Sequence, residues 1–179
     1  MRKIIISAGH GGDDPGASAN GYIERDLAIE LRSLLVKELK SRGIDPITDP
    51  DKNKLVETLA WLRGKFGSSD ILLDLHWNSG GGTGIEVIVP DGASQFEKTL
   101  AQALADKISE ITTWKKRSGG VKPESDTARK KLGWMRPNAE NILIEMCFID
   151  NKLDMSIYNA NKQAIVKSIV NVLSQFAKN

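Results

Sequence analysis

Residues 71–78 read ILLDLHWN, and this stretch decides how the rest of the chain is interpreted. Its first five residues are almost continuously apolar, which is typical of a strand buried on both faces of a parallel sheet. Residues 3–7, KIIIS, have the same character. Further strands are predicted at Ile44–Thr48, Gly84–Val89 and Asn141–Glu145. The chain therefore contains several short strands, most of them strongly apolar.

Stretches with helical periodicity separate these strands. Gly43 follows a leucine-rich stretch at the point where a helix would end, and Ser94 with Glu97 forms a capping box at the start of another. Because strands and helices alternate, we predict an α/β fold with an open, mostly parallel sheet of about six strands and helices on both faces. Helices are predicted at about residues 24–42, 55–66, 95–111 and 165–176.

The remaining polar stretch and the domain organisation complete the predicted architecture. Thr112–Asp126 is polar and contains glycine, so we expect it to form an exposed loop. No repeat or linker divides the sequence, and we expect a single domain over residues 1–179.

The composition excludes several classes of protein. Hydrophobic residues make up 40% of the 179 residues and charged residues 27%, which is typical of a globular protein, and a net charge of +2 gives no indication of a nucleic-acid partner. The N-terminal apolar run has three isoleucines, whereas a secretory signal needs roughly 7–15 apolar residues and a membrane span about 18. We therefore expect a chain made in the cytoplasm, with no signal peptide and no transmembrane segment. We expect a monomer.

Both histidines of the chain directly follow predicted buried strands. His10 comes after the first strand and His76 after the strand at 71–75. Ligands of such sheets bind outside the carboxyl ends of the strands, so the two imidazoles are expected to meet there. Two histidines and one glutamate form a known zinc-binding set with an open position for water. Glu24, at the start of the first helix, is the favoured third ligand.

Two other acidic residues compete with Glu24 by position alone. Asp26 and Glu30 lie on the same predicted helix, but along it rather than at its first residue. Glu145 ends the buried strand at 141–145, where a carboxylate must be paired or functional. We assign Glu145 the role of a proton acceptor that does not bind the metal.

Four motifs in this order resemble a known family. They are AGHGGDDPGA at 8–17, ERDL at 24–27, DLHWN at 74–78 and EMCFIDNKLD at 145–154. Together they are similar to the zinc-dependent N-acetylmuramoyl-L-alanine amidases of the third amidase type, which occur in bacterial autolysins and phage endolysins. The resemblance runs from Ile4 to about Gln175, and it implies one catalytic domain over residues 1–179 without a separate cell-wall-binding domain.

The resemblance implies a site and a reaction. It implies that His10, Glu24 and His76 bind Zn²⁺ and that Glu145 is the catalytic carboxylate. The implied substrate is peptidoglycan, cleaved between N-acetylmuramic acid and L-alanine, by a protein that reaches the wall through a holin or as part of a larger secreted protein. Asp74 stands where the family usually has serine, and Asp49 where it usually has arginine.

Several alternatives stay open at this point. A peptidoglycan-binding module that no longer cleaves, or a zinc peptidase acting on the stem peptide, would use the same fold. Trp77 and Trp134 could each stack on substrate or simply pack, and Cys147 is expected to be a small buried apolar residue. The basic runs at 115–117 and 129–131 could contact an anionic wall or be solvated.

Overall fold

The computed structural model describes residues 1–178. The eight strands are β1 (Ile4–Ala8), β2 (Ser18–Ala19), β3 (Tyr22–Ile23), β4 (Ile47–Thr48), β5 (Ile71–Asn78), β6 (Ile85–Val89), β7 (Lys116–Pro123) and β8 (Glu140–Phe148). The four α-helices are α1 (Glu24–Ser41), α2 (Leu55–Leu62), α3 (Gln95–Thr112) and α4 (Lys152–Lys178). Two single 3-10 turns lie at Glu124–Asp126 and Gly133–Met135. β2 and β3 pair with each other in a small hairpin that leads into α1.

The six remaining strands form one sheet in the order β4-β1-β5-β8-β6-β7. The first four run parallel to one another, and β6 pairs antiparallel with β8. β7 runs parallel to β6. The predicted α/β fold with a mostly parallel six-stranded sheet is therefore confirmed. The reversal at β6 brings its amino end beside the carboxyl end of β8.

The expectation that Thr112–Asp126 is an exposed loop is wrong. Its first residue ends α3 and most of the rest forms β7, which pairs with β6 at the edge of the sheet, with Val121 opposite Val87. Gly119 and Gly120 have positive φ values of 73° and 110°, and the pairing shifts register nearby. An irregular edge strand needs few apolar residues, so its sequence lacks the alternation that identifies a strand.

The helices follow the prediction with one difference in length. α1 and α3 match the expected spans closely, and the capping box of α3 forms as predicted, with the Glu97 amide 3.0 Å from the Ser94 hydroxyl. α4 begins at Lys152 rather than near residue 165. Only Met155 and Tyr158 are buried apolar residues in its first half, so the apolar stripe that identifies a helix is less regular there than in the second half.

Helices cover both faces of the sheet, as predicted. α1, α3 and α4 bury the larger core on one face, while α2 and the turn at Gly133–Met135 cover the other. No helix within residues 1–178 has the length and apolarity that a membrane span requires.

The face under α2 changes from apolar to polar toward the carboxyl ends of β5 and β8. Side chains alternate along a strand, so Leu72, Asp74 and His76 share one face of β5. Leu72 lies in the core, whereas Asp74 and His76 line a cavity. In the same way Leu143 lies beneath Glu145 on β8. This change of polarity within each strand places the candidate site.

Candidate active site and metal centre

A cavity of about 630 Å³ opens on this polar part of the sheet. Its floor is formed by side chains from β5, β6 and β8, and its rim by the loop after β1, the start of α2 and the segment 127–134. Its ionisable lining residues are His10, Asp14, Glu24, Asp74, His76, Glu86, Lys122, Arg129, Lys131 and Glu145.

The three predicted metal ligands come together in this cavity. One potential ligand atom each from His10, Glu24 and His76 lies within 4.8 Å of the others. His10 Nε2 is 3.3 Å from one carboxylate oxygen of Glu24, and His76 Nδ1 is 3.0 Å from the other. Two imidazoles and a carboxylate at this spacing are a donor set that suits Zn²⁺.

Backbone amides hold the Glu24 carboxylate in place. The Ala17 amide donates to its Oε2 at 2.8 Å and the Trp77 amide to its Oε1 at 3.0 Å. Glu24 is the first residue of α1 and is 4% exposed. The two competing acids lie elsewhere, because Asp26 pairs with Arg25 and Glu30 pairs with Lys162 in exposed contacts.

The ring nitrogens of the two histidines that face away from Glu24 each meet another carboxylate. Asp14 Oδ2 lies 2.9 Å from His10 Nδ1, and Asp74 Oδ2 lies 3.1 Å from His76 Nε2. Metal-binding histidines commonly donate their second N–H to a carboxylate, which fixes the tautomer and raises the basicity of the ligand. These contacts support the fit of the cluster to a metal ion. The sequence alone gave no role for Asp74, although its i, i+2 spacing to His76 places both on one face.

Two glycines allow the backbone to approach the imidazoles closely. A Cβ on Gly9 would lie 2.2 Å from the His76 ring, and a Cβ on Gly16 would lie 2.6 Å from the His10 ring. Gly16 also has a positive φ of 63°. Gly9 and Gly16 of the AGHGGDDPGA motif are therefore required where the chain packs against the candidate ligands.

The contacts within the cluster favour a negatively charged Glu24 and positively charged His10 and His76. Burial opposes ionisation of Glu24, yet hydrogen bonds from His10 and His76 hold its pKa well below the usual range. Burial lowers the pKa of both histidines, but Glu24 raises that of His10 and Asp74 raises that of His76, so both pKa values lie above the ordinary value. Metal ligands must release such protons on binding, so metal affinity is expected to increase with pH.

Glu145 occupies the position next to His76 in the sheet, where β5 and β8 pair in parallel. It is half-buried and lines the cavity, while its Oε2 is enclosed and accepts no hydrogen bond from residues 1–178. Burial raises the pKa of Glu145 to about 7, against an ordinary value of 4.5, and the charges of Glu24 and Glu86 act in the same direction. A carboxylate with a pKa near neutrality can both accept and return a proton.

The sequence prediction missed Glu86 and Lys122. Glu86 lies opposite Glu145 in the β6–β8 register and is 1% exposed. The Lys122 ammonium is 2.6 Å from its Oε2, and the Arg117 guanidinium is 3.6 Å from its Oε1. A charged residue within the apolar run GIEVIV was the available signal for Glu86, whereas Lys122 fell within the segment expected to be a loop.

The open alternatives for three other residues resolve toward packing. Trp77 is buried and packs edge-on against Tyr158, with ring centroids 5.3 Å apart. Trp134 borders the cavity but is 1% exposed within the second core, where it donates to the Leu72 carbonyl at 3.4 Å. Cys147 is fully buried, and burial raises the pKa of its thiol far above the ordinary value. These residues support the core beneath the site.

Comparison with known proteins identifies related sequences along nearly the whole chain. Residues 4–175 match the family model of N-acetylmuramoyl-L-alanine amidases (Amidase_3). The chain is 31% identical over 176 residues to N-acetylmuramoyl-L-alanine amidase CwlM of Bacillus licheniformis, covering 94% of this chain and 64% of that protein. It is 28% identical over 162 residues to the endolysin of Bacillus phage SPP1, covering 85% of this chain and 57% of the endolysin.

Solved structures share the fold. The catalytic domain of the CD27L endolysin, which targets Clostridia difficile, superposes with a TM-score of 0.75 at 25% identity, covering 98% of each chain. The chain thus spans less than two thirds of the length of the first curated relatives it matches, and it covers 98% of the CD27L catalytic domain.

Proposed function

Since this chain belongs to the N-acetylmuramoyl-L-alanine amidase family, we propose that it hydrolyses the amide between the lactyl group of N-acetylmuramic acid and L-alanine in peptidoglycan. One observation carries the proposal: the candidate ligands His10, Glu24 and His76 converge within 4.8 Å, with the uncommitted carboxylate of Glu145 beside His76. A metal-binding set with a neighbouring general base is an arrangement that supports metal-assisted hydrolysis of an amide.

We propose that His10, Glu24 and His76 hold Zn²⁺. When bound, Zn²⁺ supplies Lewis-acid chemistry, because it polarises a carbonyl group and lowers the pKa of water. Asp14 and Asp74 keep the two imidazoles oriented through their second ring nitrogens. The Ala17 and Trp77 amides restrict Glu24 to one position. The chain therefore holds its ligands in place through contacts of its own.

Glu145 moves the proton in the proposed reaction. Its ionised carboxylate accepts a proton from the attacking water as the oxygen of that water bonds to the amide carbon. The carbon–nitrogen bond then breaks, and Glu145 returns the proton to the nitrogen of L-alanine, which leaves as a free amine. A pKa near 7 suits both transfers, because the carboxylate is neither too weak a base nor too weak an acid.

The test is a digest of purified peptidoglycan with products identified by mass spectrometry. The proposal predicts free amino termini on L-alanine and intact glycan strands, with the activity lost to a zinc chelator and restored by Zn²⁺. New termini within the stem peptide would instead establish a peptidase. If the digest releases no products although the protein binds peptidoglycan, the chain is a binding module.

Matched variants test the proposed roles. Glu145→Gln should reduce turnover by at least about 100-fold while it retains Zn²⁺ binding, because it removes the base and no ligand. His76→Ala should lose both. Glu30→Gln, an exposed carboxylate paired with Lys162, is the control and should retain both properties. Turnover by Glu145→Gln close to that of the unaltered chain would remove Glu145 from the mechanism.

We also propose that the protein acts on the cell wall after release from the cytoplasm, either through a holin or as part of a larger secreted protein. Similarity to a phage endolysin supports the first route. Detection of the protein outside intact cells only when a holin is co-expressed would distinguish the two routes.

A further inference from the structure

The ionisable groups that line the cavity are divided by charge between different elements. The acids and histidines come from β5, β6, β8, the loop after β1 and the start of α1. The cations Lys122, Arg129 and Lys131 come from β7 and from the segment 127–131 that follows it. One wall of the cavity is therefore cationic, and we call these three residues the basic wall.

Two members of the basic wall have no anionic partner among residues 1–178. Arg129 and Lys131 are exposed, and neither forms an ion pair with another side chain within residues 1–178. Lys122 differs, because it is paired with the buried carboxylate of Glu86. The Arg117 guanidinium approaches Glu86 as well, so Lys122 and Arg117 together exceed its charge. The wall thus has a net positive charge that a ligand could neutralise.

The distance between the basic wall and Glu145 follows from the order of the strands. β8, β6 and β7 are successive neighbours, and Lys122 is in register with Ile88 on β6, which is opposite Leu143 on β8. The backbone at Lys122 therefore lies two strand spacings across the sheet and two residues along it from that at Glu145, a separation of about 12 Å. An extended peptide covers about 7 Å in two residues. A carboxylate on the second residue after a scissile amide held beside Glu145 would therefore come within the length of the Lys122 side chain, and Arg129 and Lys131 line the same cavity.

We propose that the basic wall binds a free carboxylate of the stem peptide, on the residue that follows L-alanine. This inference rests on the proposed function and adds a substrate preference: walls in which this carboxylate is free are cleaved faster than walls in which it is amidated. The Arg129 and Lys131 side chains supply the charge, and Lys122 lies deeper, fixed by Glu86.

Two synthetic substrates that differ in one group test the preference. They are N-acetylmuramoyl-L-alanyl-D-isoglutamate, with a free carboxylate, and the corresponding D-isoglutamine compound, with an amide. The unaltered chain should show a kcat/KM about tenfold higher for the carboxylate, as expected for two partly exposed charge contacts. The preference should decrease as salt is added, because exposed charges are screened.

The variants compare adjacent residues of one loop. Arg129→Gln combined with Lys131→Gln should bring the ratio of the two kcat/KM values close to one, because the carboxylate substrate loses its partners. Lys130→Gln is the matched control, since Lys130 is exposed between them but does not line the cavity. It should retain the preference. All three residues are exposed, so thermal denaturation should show that the variants fold normally.

Binding separates this inference from the proposed function. Calorimetry with Glu145→Gln and the same two compounds should show tighter binding of the carboxylate even when neither compound is hydrolysed. If the unaltered chain cleaves neither compound but still binds the carboxylate more tightly, the amidase proposal is contradicted and the role of the basic wall is not. Equal affinity and equal turnover for the two compounds would refute the proposed role of the basic wall. A preference that persists in the Arg129→Gln, Lys131→Gln double variant, or that disappears in Lys130→Gln, would refute it as well.

Discussion

Replacing Glu145 by glutamine should stabilise the metal-free protein, and the gain should depend on pH. Glu145 has a pKa of about 7 in the folded chain, against an ordinary value of 4.5. The difference corresponds to about 3 kcal/mol, because each pKa unit represents about 1.4 kcal/mol. The cavity lets water reach part of the carboxyl group, so we expect about 2–3 kcal/mol.

The sign follows from proton binding. Below pH 4.5 both the folded and the unfolded chain hold this proton, so ionisation has no effect on stability. Between pH 4.5 and about 7 only the unfolded chain releases it readily, and the folded state loses stability as the pH rises. Above pH 7 the full destabilisation is present. Glutamine has no charge to bury, so its advantage should increase over the same interval.

Thermal denaturation in the presence of a chelator measures the effect. A protein of this size changes its Tm by about 2–4 °C per kcal/mol, so Glu145→Gln should melt about 5–10 °C higher than the unaltered chain near pH 8 and at almost the same temperature near pH 4.5. Glu30→Gln is the control, because its carboxylate is exposed and paired with Lys162, and its Tm should change little. A Tm difference for Glu145→Gln that does not change with pH would refute the reasoning.

Three further predictions concern the residues around the site. Asp74→Asn should weaken Zn²⁺ binding about 10–100-fold in a chelator competition, because it removes the carboxylate that orients His76, and unchanged affinity would exclude that role. Arg32→Met should lower the free energy of unfolding by about 3–5 kcal/mol in urea, since it leaves the Asp49 carboxylate buried without its partner at 2.5 Å, and a loss below about 1 kcal/mol would contradict this. Gly9→Ala should reduce Zn²⁺ affinity, because a Cβ there would overlap the His76 ring, and a crystal structure with an undisplaced ring would contradict this.

The secondary structure predicted from the sequence agrees best with the observed fold where a segment is fully buried. Buried strands such as β1 and β5 consist of apolar residues whatever their neighbours are, so their pattern identifies them without knowledge of the sheet. β7 is the opposite case. It is an edge strand with an irregular register, and its structure depends on pairing with β6, which a local pattern does not show.

The candidate site follows the same division. His10 and His76 were predictable because each follows the apolar run of a buried strand, although β5 continues through His76 to Asn78. Glu24 was predictable because it begins a helix. The roles of Asp74 and Glu86 were not predictable from the sequence. Each is a single acid within an apolar run, and its role depends on a contact with a neighbouring residue. That neighbour is His76 two residues further along the strand for Asp74, and Glu145 on an adjacent strand for Glu86.

The sequence by itself therefore determined the fold class, the four motifs and the three candidate ligands, whose donor atoms lie within 4.8 Å of one another. The reason is that residues at the carboxyl ends of buried parallel strands, and at the start of a following helix, meet at one edge of such a sheet. Only the tertiary structure decided the direction of β6 and β7, and with it the placement of Glu86 and Lys122 beside Glu145. The physical reason is that strand direction at a sheet edge depends on pairing between distant segments. The carboxylates behind the histidines and the cations on the cavity wall likewise follow from contacts across the fold, which no local pattern specifies.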